Sequence, residues 1–297
     1  MTPFVLAEVP LPEALAGARI DAAAMVALEL PSRNRARKEI KAGRLLLDGA
    51  TVETSRRVHA GQTLTLLSPP EPPPVYVREI PVVYADPHLA VVNKPAGLVV
   101  SGNLAKTLER ALPFNLPRTD APDPLPWPRP VHRLDARTSG LVLIARSLRG
   151  QVGLGRALQE RRVQKRYLAL VTGRLEGEGI VEAPIEGRAA RSRWRSVACS
   201  RSLHTRWMTA VDLWPETGRT HQLRIHMAAL RHPILGDGRY GPAKVLRSQG
   251  LFLTAVMLSL THPVTGEPLA VEVPPPAKFT TFPAREARRW ERAEGSS

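Results

Sequence analysis

His132-Arg133-Leu134-Asp135-Ala136-Arg137-Thr138-Ser139-Gly140-Leu141, running on into Val142-Leu143-Ile144-Ala145, is the stretch around which this chain is organised. Leu141 to Ala145 is a continuous apolar run of the kind a buried strand uses. Ahead of it, the proline-rich Pro124 to Pro130 predicts an irregular approach. Between the two lie one carboxylate, two arginines, a histidine, two hydroxyls and a glycine. A buried strand entered through so polar a segment sets Asp135 at the mouth of the core, flanked by cations. Neighbouring arginines favour the ionised carboxylate, while desolvation alone disfavours it. An ionised, partly desolvated Asp acts as a nucleophile or a base. A bare D-x-x-x-S-G reads more simply as a structural salt bridge and a turn, so the case for chemistry rests on the longer string.

Working outward, the 297 residues suffice for one large domain and a small one. No window approaches a membrane span, and Met1 to Pro12 lacks the cationic start and apolar core of a secretory signal. Cys199 is the single cysteine, which excludes an internal disulfide and a cysteine-rich zinc site and suits a reducing cytoplasm. The formal net charge of +15 points to nucleic acid as a partner.

From about Ala14 to Leu67 the pattern is that of a compact unit. Ala22 to Leu30 favours a helix, and Ser32 caps a second one over Arg33 to Ala42 that carries Arg33, Arg35, Arg37, Lys38 and Lys41. Gly43 stops it, and Asp48-Gly49 turns a hairpin. Ser68 to Pro74 reads as a semi-rigid linker. Beyond it, strands are expected at Val82 to Tyr84, Leu89 to Val92, Val163 to Val171, Leu251 to Leu260 and Val271 to Val273. Helices are expected near Thr107 to Leu112 and Gln151 to Arg161. Ala189 to Arg206 is either a basic RNA-contacting surface or an exposed strand and loop. Leu223, Met227 and Leu230 share one helical stripe, with Arg224 beside it. His221, His226 and His232 lack the spacing of a helical zinc pair.

The unbroken string from His132 to Leu141 resembles the catalytic motif of the RluA-type RNA pseudouridine synthases, H-R-L-D-x-x-T-S-G-L. Asn93-Lys94-Pro95-Ala96-Gly97 is similar to that family's N-K-P-x-G segment, although Val99-Val100-Ser101-Gly102-Asn103 replaces its common V-H-P continuation. Lys165 to Val171 resembles K-x-Y-x-A-L-V, and Gly218 to His226 with His232 to Asp237 resembles the third motif. Arg19-Ile20-Asp21, Ser32-Arg33, Ile40-Lys41-Ala42-Gly43 and Asp48-Gly49 resemble an S4 RNA-binding domain.

The resemblance implies an α+β protein: an S4-like domain at 1–68, a proline-rich linker at 69–79, and a synthase domain at 80–297. The last would hold a mixed, largely antiparallel sheet, flanking helices and a central cleft. The implied reaction cleaves N1–C1′ of a uridine in ribosomal or transfer RNA, turns the base and rejoins it through C5, without a cofactor or metal. Asp135 would be the essential carboxylate, attacking the sugar or removing a sugar proton. Arg224 would pair with it and Tyr167 would pack against the base. The nucleotide must leave its stack, at about a few kcal/mol, and Arg133 would fill the vacated space. His132 and Lys94 join the groups expected to meet RNA, and Arg33, Arg37, Lys38 and Lys41 are expected to neutralise phosphates. Two other readings compete. One is a catalytically silent RNA-binding or ribosome-assembly protein. The other is a glycoside hydrolase, which would want a second carboxylate that no nearby motif supplies.

Overall fold

The computed structural model describes residues 5–68, 74–241 and 249–295, and the chain divides into two compact units. The expected linker at 69–79 falls partly on residues 69–73, outside the described residues.

The first unit comprises residues up to Val75 together with 123–127. Its elements are β1 (Val5–Pro10), α1 (Ile20–Ala27), α2 (Arg33–Lys41), β2 (Leu45–Leu47), β3 (Ala50–Thr51) and β4 (Thr63–Leu67). The strands form an antiparallel sheet in the order β1-β4-β2-β3. Ile20, Ala24, Ala36, Ile40, Leu45 and Leu64 supply its core. Ser32 caps α2 as the sequence indicates, its hydroxyl accepting the Arg35 N–H. Asp48 and Gly49 both take positive φ, 50° and 78°, as a two-residue hairpin of this hand requires. Strand β1 was not expected, because Val5–Pro10 does not alternate and is largely exposed.

Asp21 joins the two helices. Its side chain is fully buried, and its oxygens accept from Arg33 at 2.8 Å and Arg37 at 2.7 Å. Burial alone would raise its pKa, but the hydrogen bonds and charges of the two arginines outweigh that and hold it below the usual value. Its stabilisation is therefore present above about pH 4 and is lost as pH falls through the lowered pKa. Because both arginines are nearly half exposed and would rehydrate, Asp21→Ala should cost only about 1–3 kcal/mol. Faster hydrogen exchange at the α1 and α2 amides near neutral pH, fading in acid, is the expected reading.

The second unit holds 76–122 and 128–297. Its strands are β5 (Val82–Ala85), β6 (Leu89–Lys94), β7 (Pro124–Pro130, from Pro128 on), β8 (Ser139–Ser147), β9 (Gln164–Thr172), β10 (Glu178–Val181), β11 (Ser192–Ser202), β12 (Arg206–Pro215), β13 (Leu253–Thr261) and β14 (Pro268–Glu272). They build one mixed sheet, β10-β11-β12-β9-β13-β8-β6-β5, with β14 on β13 and β7 beside β8. The registered pairs are antiparallel except β13 with β8. Helices α3 (Leu108–Asn115), α4 (Leu148–Gln159), α5 (Gln222–Ala229) and α6 (Lys278–Glu294) flank it. The sequence motif's apolar run is the interior strand β8, buried from Ser139 to Ala145. Gly140 (φ +114°) lies against the β13 backbone, where a Cβ would stand 2.2 Å from the Ala255 oxygen. The motif's glycine is thus what lets β8 meet β13. Among the described residues no helix is long and apolar enough to cross a membrane.

The irregular approach expected over Pro124 to Pro130 is corrected, since that segment is strand β7. Its prolines stand at 124, 126, 128 and 130. Alternate residues of a strand present their amides to opposite edges, so all four missing N–H groups fall on one edge. The other edge keeps its donors.

Candidate active site

Asp135 leads a short turn before β8, in which the Thr138 N–H donates to the Asp135 carbonyl at 3.1 Å. Two struts hold this turn. His132 Nε2 accepts the Leu143 N–H at 3.0 Å, pinning the motif's start to β8. Lys94 Nζ, at the end of β6, donates to the carbonyls of Pro95, Leu98 and Ala136 at 3.0, 2.9 and 3.3 Å. Burial lowers the Lys94 pKa to about 8 against the opposing pull of Asp135. Lys94 is completely buried, which corrects the expectation that it meets RNA: its donors are spent on the protein's own backbone. The His132 ring likewise faces a strand amide, and burial, with the Lys165 charge, keeps it well below the ordinary histidine value. Arg133 remains exposed at the rim of the cleft.

Arg224 approaches from α5. Gln222 fixes the start of that helix, its carboxamide accepting from Arg219 N and Thr217 Oγ1 and donating to Arg191 O and Ser192 Oγ. Arg224 Nη1 donates to Asp135 Oδ2 at 3.2 Å, while Nε and Nη2 grip both oxygens of Asp237 at 2.7 and 2.9 Å. This bidentate fork fixes the guanidinium plane. The Asp237 side chain is wholly buried. Burial would raise its pKa, yet the Arg224 hydrogen bonds and the amides of Arg239 and Tyr240 hold it low. The sequence marked Asp237 only as the end of a motif, without a role. His221, at the N-cap of α5 with φ +56°, places Nε2 at 3.7 Å from Asp135 Oδ2 and bonds Tyr240 through Nδ1.

Tyr167 projects from β9, nearly buried, and burial and then the Asp135 charge push its phenol above the usual value. Asp135, Tyr167, Arg224, Arg133 and Lys165 all line an open cleft of about 720 Å³, within the size range of small-molecule sites. Three motifs separated by up to 89 residues therefore converge. Asp135 Oδ1 has no hydrogen bond among the described residues. In the first unit, Arg33 and Arg37 are turned onto Asp21 with about 45% of each side chain exposed, and Lys38 and Lys41 are exposed. Among the described residues no three His, Cys, Asp or Glu side chains cluster as metal ligands.

A family profile described as RNA pseudouridylate synthase matches residues 88–229. The chain is 37% identical to the ribosomal large subunit pseudouridine synthase D of Xanthomonas campestris, over 91% of this chain and 89% of that protein. It is 36% identical to its namesake of Pseudomonas aeruginosa, over 92% of each. Human RNA pseudouridylate synthase domain containing 1 superposes with a TM-score of 0.57 at 28% identity, over 68% of this chain and 86% of that one.

Proposed function

This chain belongs to the RluA-type RNA pseudouridine synthases, and from that premise we propose that it isomerises uridines of large-subunit ribosomal RNA through Asp135. The observation that carries the assignment of Asp135 is its ion pair with Arg224 in a cleft shared with Tyr167. Arg224 holds the carboxylate in place, and the Asp237 fork keeps Arg224 from turning away. Tyr167 offers its ring to the displaced uracil. Arg133, exposed at the rim, has the planar cationic head to occupy the gap left in the RNA stack. The first unit acts as an S4-like module, with Lys38, Lys41 and the outer faces of Arg33 and Arg37 on phosphates. A ribosomal substrate would place the protein in the cytoplasm, and the names of its relatives favour that substrate over transfer RNA.

Unmodified large-subunit ribosomal RNA and unmodified transfer RNA, each incubated with the protein, distinguish the substrates. Carbodiimide-dependent primer-extension stops are expected in the ribosomal RNA alone. Stops confined to transfer RNA would overturn the substrate assignment and leave the chemistry standing.

A further inference from the structure

Lys165 sits two residues before Tyr167 on β9, so both side chains leave the same face of the strand, about 6–7 Å apart along it. Both line the cleft. Among the described residues nothing forms a hydrogen bond or ion pair with the Lys165 ammonium. The other cations of the cleft are engaged or exposed. Arg224 is held by two carboxylates, Arg219 by the Ala189 carbonyl and Arg193 by Glu216, while Arg133 and Arg161 lie open on the rim. Lys165 is the half-buried one that forms no ion pair with a carboxylate among the described residues. Desolvating a cation in this way is unfavourable, and a ligand that brings negative charge offsets it.

Uridine isomerisation generates such charge. Cleaving N1–C1′ leaves the bonding pair on the uracil, spread over N1 and its carbonyl oxygens. The base turns, C5 bonds C1′, C5 loses one proton and N1 gains one, so nothing is oxidised or consumed. Asp135 and Arg224 are paired with each other, which leaves the detached base without an assigned cation. We propose that Lys165 is a catalytic residue of this reaction, its ammonium donating to a carbonyl oxygen of the detached uracil and holding the negative charge while the base turns. The proposal rests on the pseudouridine synthase reading of the cleft.

Burial takes the Lys165 ammonium down to about 8. It is charged below that pH and neutral above it, so the chemical step should slow as pH rises through this range. The Lys165 charge reaches His132 of the motif turn. The other charged or titratable groups of the cleft are Arg133 and Asp135 from that turn, Arg161 from the segment before β9, Tyr167 from β9 itself, Arg193 from β11, and Glu216, Arg219, His221 and Arg224 from the β12–α5 side. Burial holds both histidines below their ordinary value and Tyr167 above its own, so none of the three accounts for a loss near pH 8. Lys94 also falls to about 8, and a substitution at 165 separates the two lysines.

The test is single-turnover pseudouridine formation, with RNA affinity measured in parallel, for the wild type, Lys165→Met and Lys165→Arg across the pH range. Lys165→Met should slow the chemical step by about 10²-fold at unchanged affinity. Lys165→Arg should retain activity and carry the alkaline loss to higher pH. An unslowed Lys165→Met, a defect confined to affinity as a phosphate contact would give, or an alkaline limb unmoved in Lys165→Arg would each overturn the proposal. If Lys165→Met fails to fold, the limb of Lys165→Arg decides. An inactive wild type would instead overturn the reading of the whole site.

Discussion

Replacing Asp135 with Asn is expected to lower single-turnover pseudouridine formation by roughly 10⁴-fold, the upper end of what one positioned acid, base or nucleophile contributes. RNA affinity should stay within about threefold, under 1 kcal/mol. The change preserves shape and removes charge and nucleophilicity. Fold stability should change little, because the Asp135 side chain is 20% exposed and Arg224 keeps its two bonds to Asp237. Filter binding and rapid-quench assays on one preparation separate the two effects. A mutant that retained the wild-type rate would remove Asp135 from the chemistry.

Asp237→Asn should damage both stability and rate. Its carboxylate is wholly buried and Arg224 is only 6% exposed, so neutralising Asp237 leaves a buried guanidinium with one remaining, weaker partner. Breaking a buried pair in this way costs about 3–5 kcal/mol. The folded-state pKa of Asp237 is depressed, so its stabilisation is fully present above about pH 4 and disappears as pH falls through the lowered pKa. The stability gap between wild type and mutant should accordingly be wide at neutral pH and close in acid, as measured by urea denaturation. Loss of the fork also frees Arg224 to rotate from Asp135, and a misplacement of about 1 Å is worth roughly 10²-fold in rate. Equal stability at neutral pH would show that Arg224 needs no second anion.

The parts of this protein that were legible in its sequence are those whose cause is local. The apolar run Leu141 to Ala145 is an interior strand because nothing polar interrupts it, and Ser32 starts α2 because its hydroxyl reaches a nearby amide. The pairing of Asp135 with Arg224 was implied by resemblance and not by spacing, since 89 residues separate them. Asp237 was missed because its partner lies 13 residues away and its surroundings read as a turn. Lys94 was misread because a lysine normally signals surface, whereas three inward carbonyls here take an ammonium. The Ala189 to Arg206 stretch, left undecided between basic surface and exposed strand, is largely β11. Its Arg193 and Arg195 lie over the Trp214 ring of β12 at 5.2 and 5.6 Å, a cross-strand pairing that arginine content does not reveal.

The central claim is that this chain isomerises uridine in RNA through Asp135. Unmodified ribosomal RNA should be incubated with wild type and with Asp135→Asn, and pseudouridine mapped by carbodiimide-dependent stops. Discrete stops with the wild type and none with the mutant are predicted. RNA bound by both proteins and modified by neither, with assembly intermediates also tried as substrate, would contradict the account and leave an RNA-binding protein in its place.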